Sequence, residues 1–154
     1  MPTYTETQIR AAIAGVITTA APNAVVFPWW VLGHDSNTWP GVLISSADGN
    51  KPHGYVITRT NTEGERKNPQ CVTRSLTYDI WAFRYYDEGS TSAANSDLVF
   101  NTELDAICNA FINAATLPGE LQRVEEEPSF RMDLDIFGGE LLHYATGRLV
   151  IVQL

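Results

Sequence analysis

The sequence predicts an α+β fold: a mainly antiparallel sheet with two amphipathic helices packed on one face, plus a long hairpin arm. Three observations predict it. The run CVTRSLTYDIWAFRYY, Cys71 to Tyr86, is rich in β-branched and aromatic residues and free of Gly and Pro, so it reads as one long strand. Two segments, one near the start and one past the middle, repeat apolar residues at helical spacing. The tail from Phe130 to Leu154 alternates and turns at a Gly pair, as a hairpin does.

The first helix is predicted from about Glu6 to Ala20, with Thr5 as N-cap and Gln8 completing a capping box. Ile9, Ile13, Val16, Ile17 and Ala20 form its apolar stripe, and Pro22 with Asn23 ends it. In AVVFPWWVLGHDSNTWPGVLISSA, Pro28 interrupts an apolar run and Pro40 follows Trp39, which suits an edge strand or an irregular extended segment. A strand over Gly54 to Thr60 comes next. The stretch Asn61 to Gln70 holds no large apolar residue and reads as a long hairpin arm or mobile loop. In the long strand, Val72, Leu76, Tyr78, Ile80 and Ala82 share one face. Thr73, Ser75, Thr77 and Asp79 lie on the other, followed by Trp81, Phe83 and Tyr85, three rings that demand a cover. A second helix is predicted over Asp97 to Asn113, with Ser96 as N-cap and Phe100, Leu104, Ile107 and Phe111 as its stripe. In the closing hairpin, Met132, Leu134 and Ile136 are expected to be buried, while Arg131, Asp133 and Asp135 face water. The run Leu149 to Val152 places the last strand inside the sheet.

At 154 residues the chain reads as a single domain, 1–154, able to bury a core without staples. With 44% hydrophobic and 18% charged residues, disorder is excluded and much surface is expected to meet something other than bulk water. The net charge of -8 disfavours nonspecific nucleic-acid binding through a basic face. Cys71 and Cys108 form no motif and are expected to be reduced. MPTYTETQ lacks the pattern of an export signal, and no apolar run approaches the roughly 20 residues that span a bilayer, so a soluble protein is expected.

A catalytic reading starts from His34, His53 and His143. No HxH, HExxH or CxxC spacing joins them to a metal, and the expectation is that His143 is a hydrogen-bonded strand residue while His34 and His53 are surface loop residues. GxSxG and the phosphate-binding glycine loops are missing as well. Asp133 and Asp135 project from one strand face about 7 Å apart. A glycosidase-like pair is conceivable, but a solvated face is favoured, as it is for Glu125 to Glu127. No catalytic residue, cofactor or metal is predicted. The aromatic residues concentrated before position 90 are read as core, with some as interface anchors, against the rival of a sugar-binding platform.

An N-terminal amphipathic helix, the strand LTYDIWAFRYYD, the helix DLVFNTELDAICNAF and the closing LLHYATGRLVIVQL together resemble the tail-terminator, or tail-completion, proteins of tailed bacteriophages. The resemblance covers most of the chain and rests on pattern. It implies a non-enzymatic virion protein of the tail or neck, assembled in the host cytoplasm. Such a subunit forms a ring, typically a homohexamer, that caps the tail tube at its head-proximal end and docks to the head-tail connector. DNA would pass through its channel without specific binding, and no membrane is involved. On this reading Glu63, Glu65, Arg66 and Lys67 of the arm, with Trp81, Phe83 and Tyr85, are expected to contact a neighbouring subunit or the tube, and Asp133 and Asp135 to line the channel. Two alternatives stay open: another neck or tail structural protein such as a head-closure or tube subunit, and a small ligand-binding or hydrolytic domain using Trp29 to Trp39 with His34.

Overall fold

The structure, a computed structural model, describes residues 4–33, 35, 37–68, 71–113 and 123–153. Of these, 65, 67, 68, 71, 72, 123–127 and 153 are described by their backbone alone. The fold is α+β with a mainly antiparallel sheet, as the sequence predicts.

Helix α1 (Glu6–Ala20) begins at a capping box. Thr5 Oγ1 accepts from the Gln8 N–H at 3.3 Å, and Gln8 Oε1 accepts from the Thr5 N–H at 2.8 Å, satisfying two donors that would otherwise lack a partner. Ile9, Ile13, Val16 and Ile17 are buried. Helix α3 (Ser96–Asn113) buries Phe100, Leu104, Ile107 and Phe111. Its cap differs from expectation. Asn95 Oδ1 accepts from the N–H groups of Asp97 and Leu98, which frees the Ser96 hydroxyl for another task.

Strand β1 (Val25–Phe27) is the expected edge strand. It is followed by irregular chain, a single helical turn α2 (Trp39–Val42) opened by Pro40, and the short β2 (Ile44–Ser45). The remaining strands are β3 (Lys51–Asn68), β4 (Cys71–Tyr85), β5 (Arg123–Phe137) and β6 (Glu140–Gln153). The sheet order is β1-β3-β4-β6-β5, with β2 on the start of β3. Among the described residues only β1 and β3 run parallel. The closing strand β6 therefore lies inside the sheet, between β4 and β5.

Both helices pack on one sheet face, over Tyr55 and Ile57 of β3, Leu76, Tyr78, Ile80 and Ala82 of β4, and Ala145, Leu149 and Ile151 of β6. Each fully buried Ile, Leu or Phe side chain in this layer contributes about 1.5–3 kcal/mol. The other face carries a second core: Leu32, Leu43, Val56, Phe83, Phe137 and Leu142, with Trp39, Trp81, Tyr85 and Tyr144 packed on it. Its cover includes Phe27, Val31, Leu32, Trp39 and Leu43. Trp30 meets Trp81 edge to face at 5.5 Å, and Trp39 stacks on Phe137 at 5.0 Å while its indole N–H donates to the Leu32 carbonyl.

Of the two readings of the polar stretch after Thr60, the hairpin arm holds: β3 continues to Asn68 and pairs along β4, with a register shift between Arg59 and Asn61. Two expectations need correction. Strand β5 starts at Arg123 and not at Phe130, so the backbone of Glu125 to Glu127 belongs to an irregular edge strand; their side chains, with those of Cys71 and Val72, lie outside the described set. Met132, Leu134 and Ile136 alternate as expected, yet they are 51%, 43% and 65% exposed. The reason is position. α3 covers the edge strand β5 only as far as Phe130, which packs over Gly147, and the three apolar residues lie beyond it.

Candidate functional site

The sheet face under α3 holds a buried polar cluster drawn from four elements. His53 and Tyr55 come from β3, Arg84 from β4, Glu103 from α3, and Asp48 from the turn before β3. His53 Nε2 lies 2.6 Å from Glu103 Oε1, and His53 Nδ1 lies 2.9 Å from Asp48 Oδ2. Arg84 reaches Asp48 Oδ2 at 3.5 Å and Glu103 Oε2 at 3.6 Å, and the Tyr55 hydroxyl donates to Glu103 Oε1. Burial raises the Glu103 carboxyl, but the His53 contact, the Tyr55 hydroxyl and the Arg84 charge outweigh it and hold the group below its usual range. Burial, with the Glu103 charge, pushes the Tyr55 hydroxyl well above its usual value.

These groups brace the helix against the sheet. His53 is 1% exposed, which corrects its expected place in a surface loop, and Tyr55 is fully buried. Glu103 also lines a cavity of about 440 Å³, with Ala20, Leu98, Val99, Thr102 and Ala106 among others.

A second buried pair lies at the start of α3. Ser96 Oγ is 2.7 Å from His143 Nε2 and accepts from the Asp87 N–H at 2.8 Å. Burial, with the Arg84 charge, holds the His143 ring below its ordinary value despite Asp97 nearby. Tyr86 and Phe100 flank the ring. A serine beside a histidine is what nucleophilic chemistry requires, but Ser96 is 3% exposed and its hydroxyl is engaged inside the fold by His143 and the Asp87 N–H. The pair locks α3 to β6, and His143 is the hydrogen-bonded strand residue the sequence led us to expect.

At the root of the arm, Glu6 joins Arg10 at 2.7 Å and Arg59 at 2.6 Å, and the Tyr78 hydroxyl donates to it at 3.0 Å. Burial raises the Glu6 carboxyl, but the two arginines and the tyrosine outweigh it and lower the group overall. A shallow cavity of about 470 Å³ lies between this network and Thr60 to Thr62.

The residues singled out from the sequence do not converge on one spot. Glu63 and Arg66 are exposed on the arm, while the side chains of Glu65 and Lys67 lie outside the described set, as does the whole of His34. Phe83 is fully buried within its own chain, which corrects its expected role as a contact. Trp81 and Tyr85 are half-buried and already engaged: Trp81 donates to Thr58 Oγ1 at 3.1 Å, and Tyr85 lies under Lys51 Nζ at 4.6 Å. Asp133 and Asp135 are exposed on one face of β5, on the side of the second core. Among the described residues no group of three metal-ligating side chains occurs, and no helix is long and apolar enough to cross a membrane. Sequence reading missed the His53 and Ser96 clusters because their members are far apart in the chain. The one available signal was polar or ionisable residues at buried-face positions, such as Arg84 and Glu103.

A scan against protein-family models and a search of curated proteins each return no match.

Proposed function

We propose that the chain is a non-catalytic structural subunit of a ring in a phage tail or neck, capping the tail tube at its head-proximal end and docking to the head connector. The observation that carries this reading is the arm. Strands β3 and β4 run on together past the last described β6 pair, Arg74 with Gln153, and Arg66 is exposed on that two-stranded extension. A two-stranded ribbon adds little to the stability of its own domain. Its reach beyond the sheet suits a contact with a neighbour, which a ring subunit needs. The sequence pattern from the first helix to the closing strand supports the same class, and the wet carboxylates of Asp133 and Asp135 with the net charge of -8 suit a channel that repels DNA phosphates.

The test is direct. Light scattering and electron microscopy of the purified protein should show a ring of about six copies with an open channel. Added to polymerising tail-tube subunits, the protein should stop growth and appear at one tube end. A protein that stays monomeric, or a ring that ignores tube ends, would overturn the proposal. An assembled structure with Asp133 and Asp135 on the outer rim would remove the channel-lining role alone.

A further inference from the structure

We infer that the β5–β6 hairpin face docks on the Trp29–Trp30 corner of a second copy of the chain, head to tail, as the repeating contact of the ring. The inference rests on the ring reading above and gives it an interface.

The first surface is aliphatic. Met132, Leu134 and Ile136 are cross-strand partners of Ala145, His143 and Leu141, so they share the face that the helices cover elsewhere. Leu141 is 38% exposed, and Tyr86, 39% exposed, donates its backbone N–H to the Leu141 carbonyl. Together these five residues leave roughly 400 Å² of apolar area open, at the size where a patch on a lone chain marks a contact site.

The edge beside this surface is closed. Because the Leu141 carbonyl bonds across to Tyr86, its ladder partner Ile136 sits at a non-hydrogen-bonded position, and the N–H groups of Leu134 and Ile136 point away from β6. Those two donors are taken by Asp133 Oδ1 and Asp135 Oδ1, each at 2.8 Å. The aspartates thus guard the free edge against strand addition, and a partner must approach the face.

The second surface is aromatic and lies at the other end of the sheet order. Trp29 and Trp30, 59% and 40% exposed, follow the edge strand β1. Trp30 packs on Trp81, which places it on the opposite sheet face from the aliphatic strip. Val42 and Ile44, the latter on β2, which also pairs with β3, are 36% and 38% exposed and bring the open apolar area at this end of the sheet to roughly 400 Å². Two unlike patches of similar size, at opposite ends and on opposite faces, are what a heterologous contact needs; an isologous dimer would use one patch twice. Each patch would form the apolar centre of an interface of about 800 Å² per partner, with tryptophan as its anchor.

Mass by light scattering, with circular dichroism as the fold control, reads the effect of Ile136→Arg and of Trp29→Ala. Each variant should keep the wild-type fold and lose the ring. The paired variant Trp29→Cys/Ile136→Cys, oxidised, should give a ladder of covalent oligomers up to the full ring, while neither single cysteine variant does so. Rings that persist in both Ile136→Arg and Trp29→Ala, or a cysteine pair that gives no ladder, would overturn this interface and leave the ring reading standing. A wild-type protein that is monomeric at every concentration would overturn both.

Discussion

His53 has Asp48 at one ring nitrogen and Glu103 at the other, and Arg84 touches both carboxylates. Removing the ring leaves two partly buried carboxylates sharing one guanidinium. His53→Ala should therefore lower the unfolding free energy by about 3 kcal/mol, read by urea denaturation. The pH dependence has a defined sign. A carboxyl held below its ordinary 4.5 adds stability above that value, and the contribution is lost as pH falls through its folded value; Glu103 is such a group. A histidine held below its ordinary 6.5 also costs stability on acidification, because the unfolded chain takes up the proton first; His143 is such a group. Stability should thus fall in two stages, below about pH 6.5 and again below about pH 4.5. Replacing His143 with Gln should flatten the first stage, and an unchanged slope between neutrality and the second stage would show that another group sets it. Little of this was legible in the chain. Pro52-His53-Gly54 reads as a turn, but β2 and β3 pair there and α3 brings Glu103 over the ring, a contact fifty positions away in sequence.

At the scale of elements, the helices were the most legible part, because Thr5 with Gln8 and the two apolar stripes state their limits locally. The arm was less so. Polar residues on both faces left a hairpin arm and a mobile loop as alternatives, and the ladder with β4, in which Thr62 pairs with Leu76, makes it an arm. A clean truncation follows from the register: Gly64 pairs with Arg74, so replacing residues 65–73 by Asn-Gly keeps the described β4–β6 pairs and removes the two-stranded ribbon. The shortened chain should stay folded, within about 1 kcal/mol of the parent, and fail to assemble or to join tubes. Normal assembly by that variant would dismiss the arm as a contact. The turn between β5 and β6 gives a second prediction. Gly138 has φ of 56°, and a Cβ there would come within 2.4 Å of the Asn37 carbonyl oxygen. Gly138→Ala should cost about 1–3 kcal/mol and loosen the Asn37 segment over the second core, seen as faster amide exchange near Trp39.

At the scale of the whole molecule, the sheet is a middle layer with helices on one side and the tryptophan-rich segment on the other. The aromatic half of β4 announced its need for a cover in sequence, but the identity of that cover did not. The segment lies over forty positions upstream of those rings and has no periodicity of its own. With a net charge of -8 on each copy, neighbours repel through solvent. Raising ionic strength from about 0.01 M to about 0.15 M shortens the screening length from about 30 Å to about 8 Å. Assembly held by apolar patches should then strengthen, with the mass distribution shifting toward the ring. Rings that dissociate on adding salt would show that ion pairs hold the contact.

The position of β6 also dictates an order of events during synthesis. Strand β4 emerges early and finds β3 at once, but its other edge must wait for β6, whose partners lie about seventy residues further along, as Tyr78 and Leu149 do. Until then one side of the longest apolar strand is an open template. Another nascent chain could occupy it, so productive folding competes with misassembly in proportion to concentration. Yield on refolding should be governed by dilution and by the time this inner strand takes to arrive.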